Sequence, residues 1–274
     1  MRPPIRLAAL GLGLATAAAV VIVGGRTADL AVVRESPGRG VSGTGPNAAG
    51  PLGLEVTQRG YSLRLSAPTA PFGPTTLRFQ LLGPDRRPVA AHGSGQQSEP
   101  HVFLVQRDMT GYQHRHPARD ATGTWSAPVE LHSGTYRVLV EFHPAGEAAS
   151  LTLGADLIVS GSAHPGLLPE PARDVMVGDC SVSMGGTLTA GTVSRLSFDV
   201  RRGDRRVPDP GSYLGATGHL VILRVGDLAA VDVRRVRSGL TFDAAVPSAG
   251  TYRLFLDFQK GNADRTAEYT AVVG

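Results

Sequence analysis

Lysine is almost missing from this 274-residue chain: of 27 basic residues, only Lys260 is a lysine. The arginines form short clusters, Arg201-Arg202, Arg205-Arg206 and Arg234-Arg235, interleaved with Asp199, Asp204, Asp209 and Asp232. A net charge of +4 spread in this way makes no single basic field, and no aromatic-interleaved basic motif accompanies it. A nucleic-acid partner is not expected. Cysteine is equally scarce: Cys180 stands alone, so there is no disulfide framework, and domains of about a hundred residues do not need one. Beyond the N-terminus no stretch sustains a 3.6-residue apolar period, which argues against an all-α fold. Catalytic signatures are also lacking. There is no Gly-X-Ser-X-Gly, no His-Glu-X-X-His and no glycine-rich phosphate loop, and the chain is not expected to be an enzyme.

What the chain has in excess is punctuation and repetition. Glycine (35) and proline (20) break it at short intervals, as in turn-rich β proteins. His101-Val-Phe-Leu-Val-Gln is echoed by His219-Leu-Val-Ile-Leu-Arg, and Gly134-Thr-Tyr-Arg-Val-Leu-Val-Glu-Phe142 by Gly250-Thr-Tyr-Arg-Leu-Phe-Leu-Asp-Phe258. The offsets, 219 − 101 = 118 and 250 − 134 = 116, differ as a loop deletion would make them differ. A domain-sized unit is duplicated. In that alignment His114 and His116 of the first copy fall opposite Asp232 and Arg234 of the second.

The N-terminus indicates where the protein resides. Arg2 and Arg6 precede an uncharged apolar run over residues 7–25, which ends at Arg26. As a helix it would reach about 28 Å, close to the thickness of a bilayer core. Its length and the basic flank predict a signal anchor with a cytoplasmic N-terminus and extracytoplasmic domains. If Ala15-Thr-Ala17 serves as a cleavage site, the protein is secreted instead. The expected plan is an anchor or transmembrane helix over 1–26, a flexible linker over 27–52, a first β-sandwich repeat over 53–160, a Pro-rich linker over 161–174 and a second, degenerate repeat over 175–274. About seven short strands per repeat, with turn signals every 8–12 residues, predict two tandem Ig-like β-sandwich domains. Tyr136 and Tyr252 stand just inside corresponding strands and read as packing residues that pin a corner of each sandwich.

The histidines carry the chemistry. His114 and His116 are two apart on an expected strand, so both side chains leave one face. If Asp108-Met109 makes the turn from the preceding strand, His101 lies across from His116. Three imidazoles then share a patch suited to one copper or zinc ion. A one-residue slip would leave only two, and a bland reading gives the first histidine of each repeat a role in the fold. His143 is a further candidate donor. Met176, Cys180 and Met184, spaced by four, offer soft ligands, but on one strand each step spans about 13 Å, so core filling is the better reading.

With its anchor, Gly53-Leu-Glu-Val-Thr-Gln-Arg-Gly-Tyr61, Gln113-His-Arg-His-Pro117 with Gly123-Thr-Trp125, Gly154-Ala-Asp-Leu-Ile158, Tyr213-Leu-Gly-Ala-Thr-Gly-His219 and Gly226-Asp-Leu-Ala229, the chain resembles a family of membrane-anchored exported proteins of high-GC Gram-positive bacteria. Members of that family often carry a heavy-metal-binding label. The resemblance implies tandem sandwiches outside the cytoplasm and a His-X-His-Pro metal site. It usually implies a second such motif after the Gly-Asp-Leu-Ala step, where this chain has Asp232-Val-Arg234-Arg235. The expected function is therefore transition-metal binding, copper favoured, at His101, His114 and His116. The alternative is an adhesive or protein-interaction module with an unknown protein partner and no metal site.

Overall fold

The computed structural model describes residues 51–89, 99–207, 218–236, 239–260 and 263–274. The apolar run 7–25 and the tether that follows it to residue 50 lie outside the described residues. Among the described residues no helix is long and apolar enough to cross a membrane, and all regular structure is strand.

In the first repeat the strands are β1 (Thr57–Gln58), β2 (Tyr61–Leu65), β3 (Thr69–Ala70), β4 (Gly73–Leu82), β5 (His101–Gln106), β6 (Gln113–Arg115), β7 (Ala118–Arg119), β8 (Trp125–Leu131), β9 (Gly134–Phe142) and β10 (Leu151–Val159). Strand β8 shows why such segments form. Trp125, Ala127, Val129 and Leu131 are buried while Ser126, Pro128 and Glu130 face outward, the period-two pattern of a strand with one dry face. Sheet β1-β2-β4-β8-β7 packs its apolar face on sheet β3-β10-β9-β5-β6 over a core that includes Leu63, Phe79, Leu81, Trp125, Val138 and Leu153.

The second repeat contains β11 (Asp174–Val177), β12 (Cys180–Gly185), β13 (Val193–Arg202), β14 (Arg205–Arg206), β15 (His219–Arg224), β16 (Asp232–Arg235), β17 (Thr241–Ala245), β18 (Gly250–Lys260) and β19 (Ala263–Val273). Its sheets are β11-β12-β13-β17-β16, with β14 beside β13, and β15-β18-β19. The order β12-β13-β17-β16 against β15-β18-β19 is that of constant-type immunoglobulin domains. The first repeat keeps this order and adds two strands: β6 outside β5, and β3 running parallel to β10. The corner tyrosines behave as expected. Both are fully buried; the Tyr136 hydroxyl accepts from the His132 amide at 3.0 Å and the Tyr252 hydroxyl donates to the Ser248 carbonyl at 2.8 Å.

The Met176, Cys180, Met184 series does not share one strand. Gly178-Asp179 turns the chain, Val177 pairs with Cys180 and Met176 with Ser181, so Met176 is 71% exposed while Cys180 and Met184 fill the core.

Three strands break the period-two rule over four or more residues in a row. Residues 102–105 of β5, 220–223 of β15 and 252–258 of β18 are buried without interruption, because one face serves a sandwich core and the other meets the second sandwich. Phe103, Val105, Met109 and Leu139 of the first repeat pack there with Val221, Leu223, Leu228 and Phe255 of the second. Phe103 corresponds to Val221 in the duplication, Val105 to Leu223 and Leu139 to Phe255, so the contact is close to isologous within one chain. Met109 and Leu228 occupy corresponding turns at φ 67° and 61°. Each follows an aspartate whose Oδ1 accepts from the amide two residues on, Thr110 at 3.0 Å and Ala229 at 3.1 Å. A left-handed non-glycine residue costs about 1–2 kcal/mol. Burying a large apolar side chain contributes about 1.5–3 kcal/mol, enough to hold each turn in this conformation. Leu52 and Ala230 exchange both backbone hydrogen bonds and tie the start of the first repeat to the second.

Candidate metal centre

The face of β5 that meets the second repeat carries the histidines. Phe103 pairs with His114 and Val102 with Arg115, which is the register expected from the sequence and sets His116 opposite His101, one step past the end of the ladder. Alternation decides which way each side chain points. Gln113 and Arg115 turn to β8: the Gln113 amide donates to the Glu130 carbonyl at 2.6 Å, and Arg115 donates to the Pro128 carbonyl at 3.0 Å. His114 and His116 leave on the other face. Ring centroids lie 5.1 Å apart for His101–His114, 4.4 Å for His101–His116 and 5.1 Å for His114–His116. One ligating nitrogen from each lies within 4.8 Å of the other two.

Two of the rings already share a proton: His101 Nδ1 and His114 Nε2 are 2.9 Å apart. The third ring has a nitrogen with no partner. His116 Nε2 is buried with no hydrogen-bond partner in the protein. Leaving a buried polar atom in that state costs about 1–3 kcal/mol.

His114 is oriented from the other repeat. Its Nδ1 lies 3.0 Å from Oδ2 of Asp257 in β18. The Tyr112 hydroxyl donates to the same oxygen at 2.8 Å, and the Thr266 hydroxyl donates to Oδ1 at 2.6 Å. A carboxylate can only accept, so the His114 proton sits on Nδ1 and its Nε2 lone pair turns to the cluster. Tyr112 stacks on Phe255 with centroids 4.1 Å apart and planes at 6°. His219, the cross-strand neighbour of Asp257, stacks on His101 at 5.0 Å and lies 5.0 Å from His114.

The electrostatics keep the imidazoles neutral. Burial, followed by the charges of His219, His114 and His116, pushes His101 down to about 2. Burial, then His116 and Arg115, pushes His114 to about 3; burial, with His114 next, pushes His219 to about 3. His116 is lowered by burial against the pull of Glu99, Asp257 and Asp264. Burial raises Asp257 to about 6, so near neutral pH the His114–Asp257 contact is a hydrogen bond from a neutral ring to a carboxylate and not an ion pair. Neutral imidazoles present lone pairs, and ring nitrogens bind zinc at about 2.0–2.1 Å. A carboxylate behind the ligating ring fixes its tautomer and raises its basicity. The donor set, its buried unpaired nitrogen and the carboxylate behind it all fit a transition-metal ion.

Among the described residues the converging group is His101, His114 and His116. His143 is not part of it. The hydrogen bond of His101 goes to another imidazole, that of His114, where the fold-serving reading offers a carbonyl as its example. Sequence reasoning missed His219, Asp257 and Tyr112 as neighbours of the site. A signal for His219 was present. The unbroken apolar runs after His101 and His219 mark strands buried on both faces, and two such faces from one duplication are expected to pack together.

The family model that matches is a domain of unknown function, DUF8832, over residues 175–274. No curated protein matches the chain. Among solved structures the chain is similar to FdeC, an adhesin of Escherichia coli, at 13% identity and a TM-score of 0.25, covering 80% of this chain and 65% of that one. It is similar to the Yersinia pseudotuberculosis adhesin InvE at 12% identity and a TM-score of 0.21, covering 82% and 61%. A segment of two fibronectin type-III domains from chicken tenascin gives 14% identity and a TM-score of 0.24, covering 77% and 97%. Nothing about ligands or partners passes from these proteins to this chain.

Proposed function

We propose that the protein binds one transition-metal ion, copper or zinc, through His101, His114 and His116. It would sequester or hand on that ion outside the cytoplasm, tethered by its N-terminal apolar segment, and carry out no chemistry on a substrate. The observation that carries this reading is the buried, unpartnered Nε2 of His116 beside the hydrogen-bonded His101–His114 pair. A bound ion would replace the proton these two rings share and give the third nitrogen a partner. Glu99, Asp257 and Asp264 lie near enough to His116 to act on its charge, and they favour the arrival of a cation. Extracytoplasmic placement rests on Arg2, Arg6 and the apolar run 7–25.

The test is a calorimetric titration of the protein with Cu(II) and Zn(II) beside a His114→Ala, His116→Ala double variant. One ion per chain in the parent and none in the variant supports the reading, and heats at buffer background in both would overturn it. A second reading, a protein-interaction module, draws on the exposed apolar side chains of the second repeat, Met176, Val193 and Val272. It gains if the parent takes up no ion and a partner is lost when those side chains become polar.

A further inference from the structure

The second repeat has no His-X-His-Pro segment, yet the best-anchored carboxylate near the histidines belongs to it. Asp257 lies on β18, is 2% exposed and receives three hydrogen bonds: from Thr266 of its own repeat, and from Tyr112 and His114 of the first. The carboxylate is thus held in place by its own repeat while it fixes a ring in the other. His219 supports His101 from the same side. The ring of Tyr112, stacked on Phe255, closes the seam next to the Asp257 contact.

Resting on the metal-binding reading, we infer that the second repeat is the outer half of the first repeat's metal site: Asp257 is a positioning residue for His114, and ion binding and docking of the two repeats are one linked equilibrium. The physical reason is reciprocity. Asp257 can orient His114 only while the repeats are docked, so any factor by which it tightens ion binding is the factor by which the ion tightens docking. Carboxylates that orient a ligating imidazole typically contribute 10–100-fold to metal affinity. The ion then braces the seam between sandwiches, although all three ligating rings come from one of them.

The experiment uses the full chain, Zn(II) alone as the probe, and the variants Asp257→Asn and Tyr112→Phe. Tyr112→Phe keeps the stack on Phe255 and removes one donor from Asp257, so it serves even if Asp257→Asn folds poorly. Three readouts are taken: Zn(II) affinity against a chromophoric chelator, the His114 tautomer in long-range proton–nitrogen spectra of the metal-free protein, and hydrogen exchange with and without Zn(II). The expected results are about 10–100-fold weaker Zn(II) binding by Asp257→Asn, a smaller loss in Tyr112→Phe, and a His114 proton that no longer resides only on Nδ1 in Asp257→Asn. In the parent, Zn(II) should slow exchange in β15 and β18 as well as in β5 and β6. Parent-like affinity and tautomer in Asp257→Asn, or Zn(II) protection confined to β5 and β6, would overturn the inference while leaving the three-histidine site standing. No Zn(II) binding by the parent would instead remove the reading on which the inference rests.

Discussion

The two repeats share a strand order and a corner tyrosine, and beside the histidines they part at one short segment. In the first, residues 113–115 pair with β5, and the chain crosses to the β8 sheet only after Pro117. In the second, Val231 still bonds Ile222 of β15, but Asp232 already pairs with Ala245 of β17 in the opposite sheet. The early crossing takes Asp232 and Arg234 off the edge on which His114 and His116 sit in the first repeat. The charges complete the contrast. His114 meets Asp257 of the other repeat, whereas its counterpart Asp232 lies near enough to Glu141 to push that carboxyl up, on top of burial. One duplicated contact has become a neutral ring against a carboxylate, the other a carboxylate against a carboxylate. A crossing point moved by a few residues separates a candidate ligand site from a plain edge.

The comparison breaks most severely at the histidines. His114→Ala with His116→Ala should abolish stoichiometric Cu(II) and Zn(II) uptake, read by calorimetry, while both sandwiches stay folded by circular dichroism. Next in size is the seam. Phe255→Ala removes a fully buried ring from the inter-repeat cluster and should cost about 3–5 kcal/mol in denaturant unfolding; Leu139→Ala at the matching position should cost about 2–5 kcal/mol. Near-zero values at both positions would mean the repeats do not dock as described.

Acidification probes the same seam without a substitution. His101, His114 and His219 hold folded values of about 2, 3 and 3, against an ordinary 6.5. Below 6.5 the unfolded chain takes up protons that these buried rings refuse, so their stabilisation is complete above that pH and is lost as the pH falls toward the folded values. Asp257, raised to about 6 from 3.8, works in the opposite direction between those two values, as do Glu141 and Glu268, also raised by burial, while His116, lowered by burial, works with the other histidines. The metal-free protein should therefore melt about 5 °C lower or more at pH 5 than at pH 7. Replacing His219 with Gln should reduce that dependence.

Smaller effects sharpen the likeness. Tyr136→Phe removes the hydroxyl that accepts from the His132 amide and Tyr252→Phe the one that donates to the Ser248 carbonyl; each should cost about 0.5–1.5 kcal/mol, with similar values in the two repeats. The smallest expected effect is a null. Asp232→His with Arg234→His restores the motif in sequence but not the strand crossing, and calorimetry should still count one ion per chain. A second equivalent would show that sequence alone, and not the crossing point, distinguishes the repeats.

Much of this was legible in the chain. The alternation in Trp125-Ser-Ala-Pro-Val-Glu-Leu131 marks a strand with one dry face, the duplication sets the repeat, and a turn at Asp108-Met109 gives the register that brings His101 to His116. Asp257 was not legible as a partner of His114, because the two are brought together by docking of separate sandwiches and no local pattern encodes that contact. The crossing at Asp232 was equally hidden, since Asp-Val-Arg-Arg suits either sheet edge. Met176 was misplaced for a simpler reason: Gly178-Asp179 ends one strand and begins another, which moves it off the face of Cys180.

The most direct test is a Zn(II) titration followed in long-range proton–nitrogen spectra of all the imidazoles at once. The ring signals of His101, His114 and His116 should shift together and saturate at one ion per chain, while those of His132, His143 and His164 stay in place. Unmoved signals at the three cluster histidines, or first movement at the other three, would contradict a metal site on this strand.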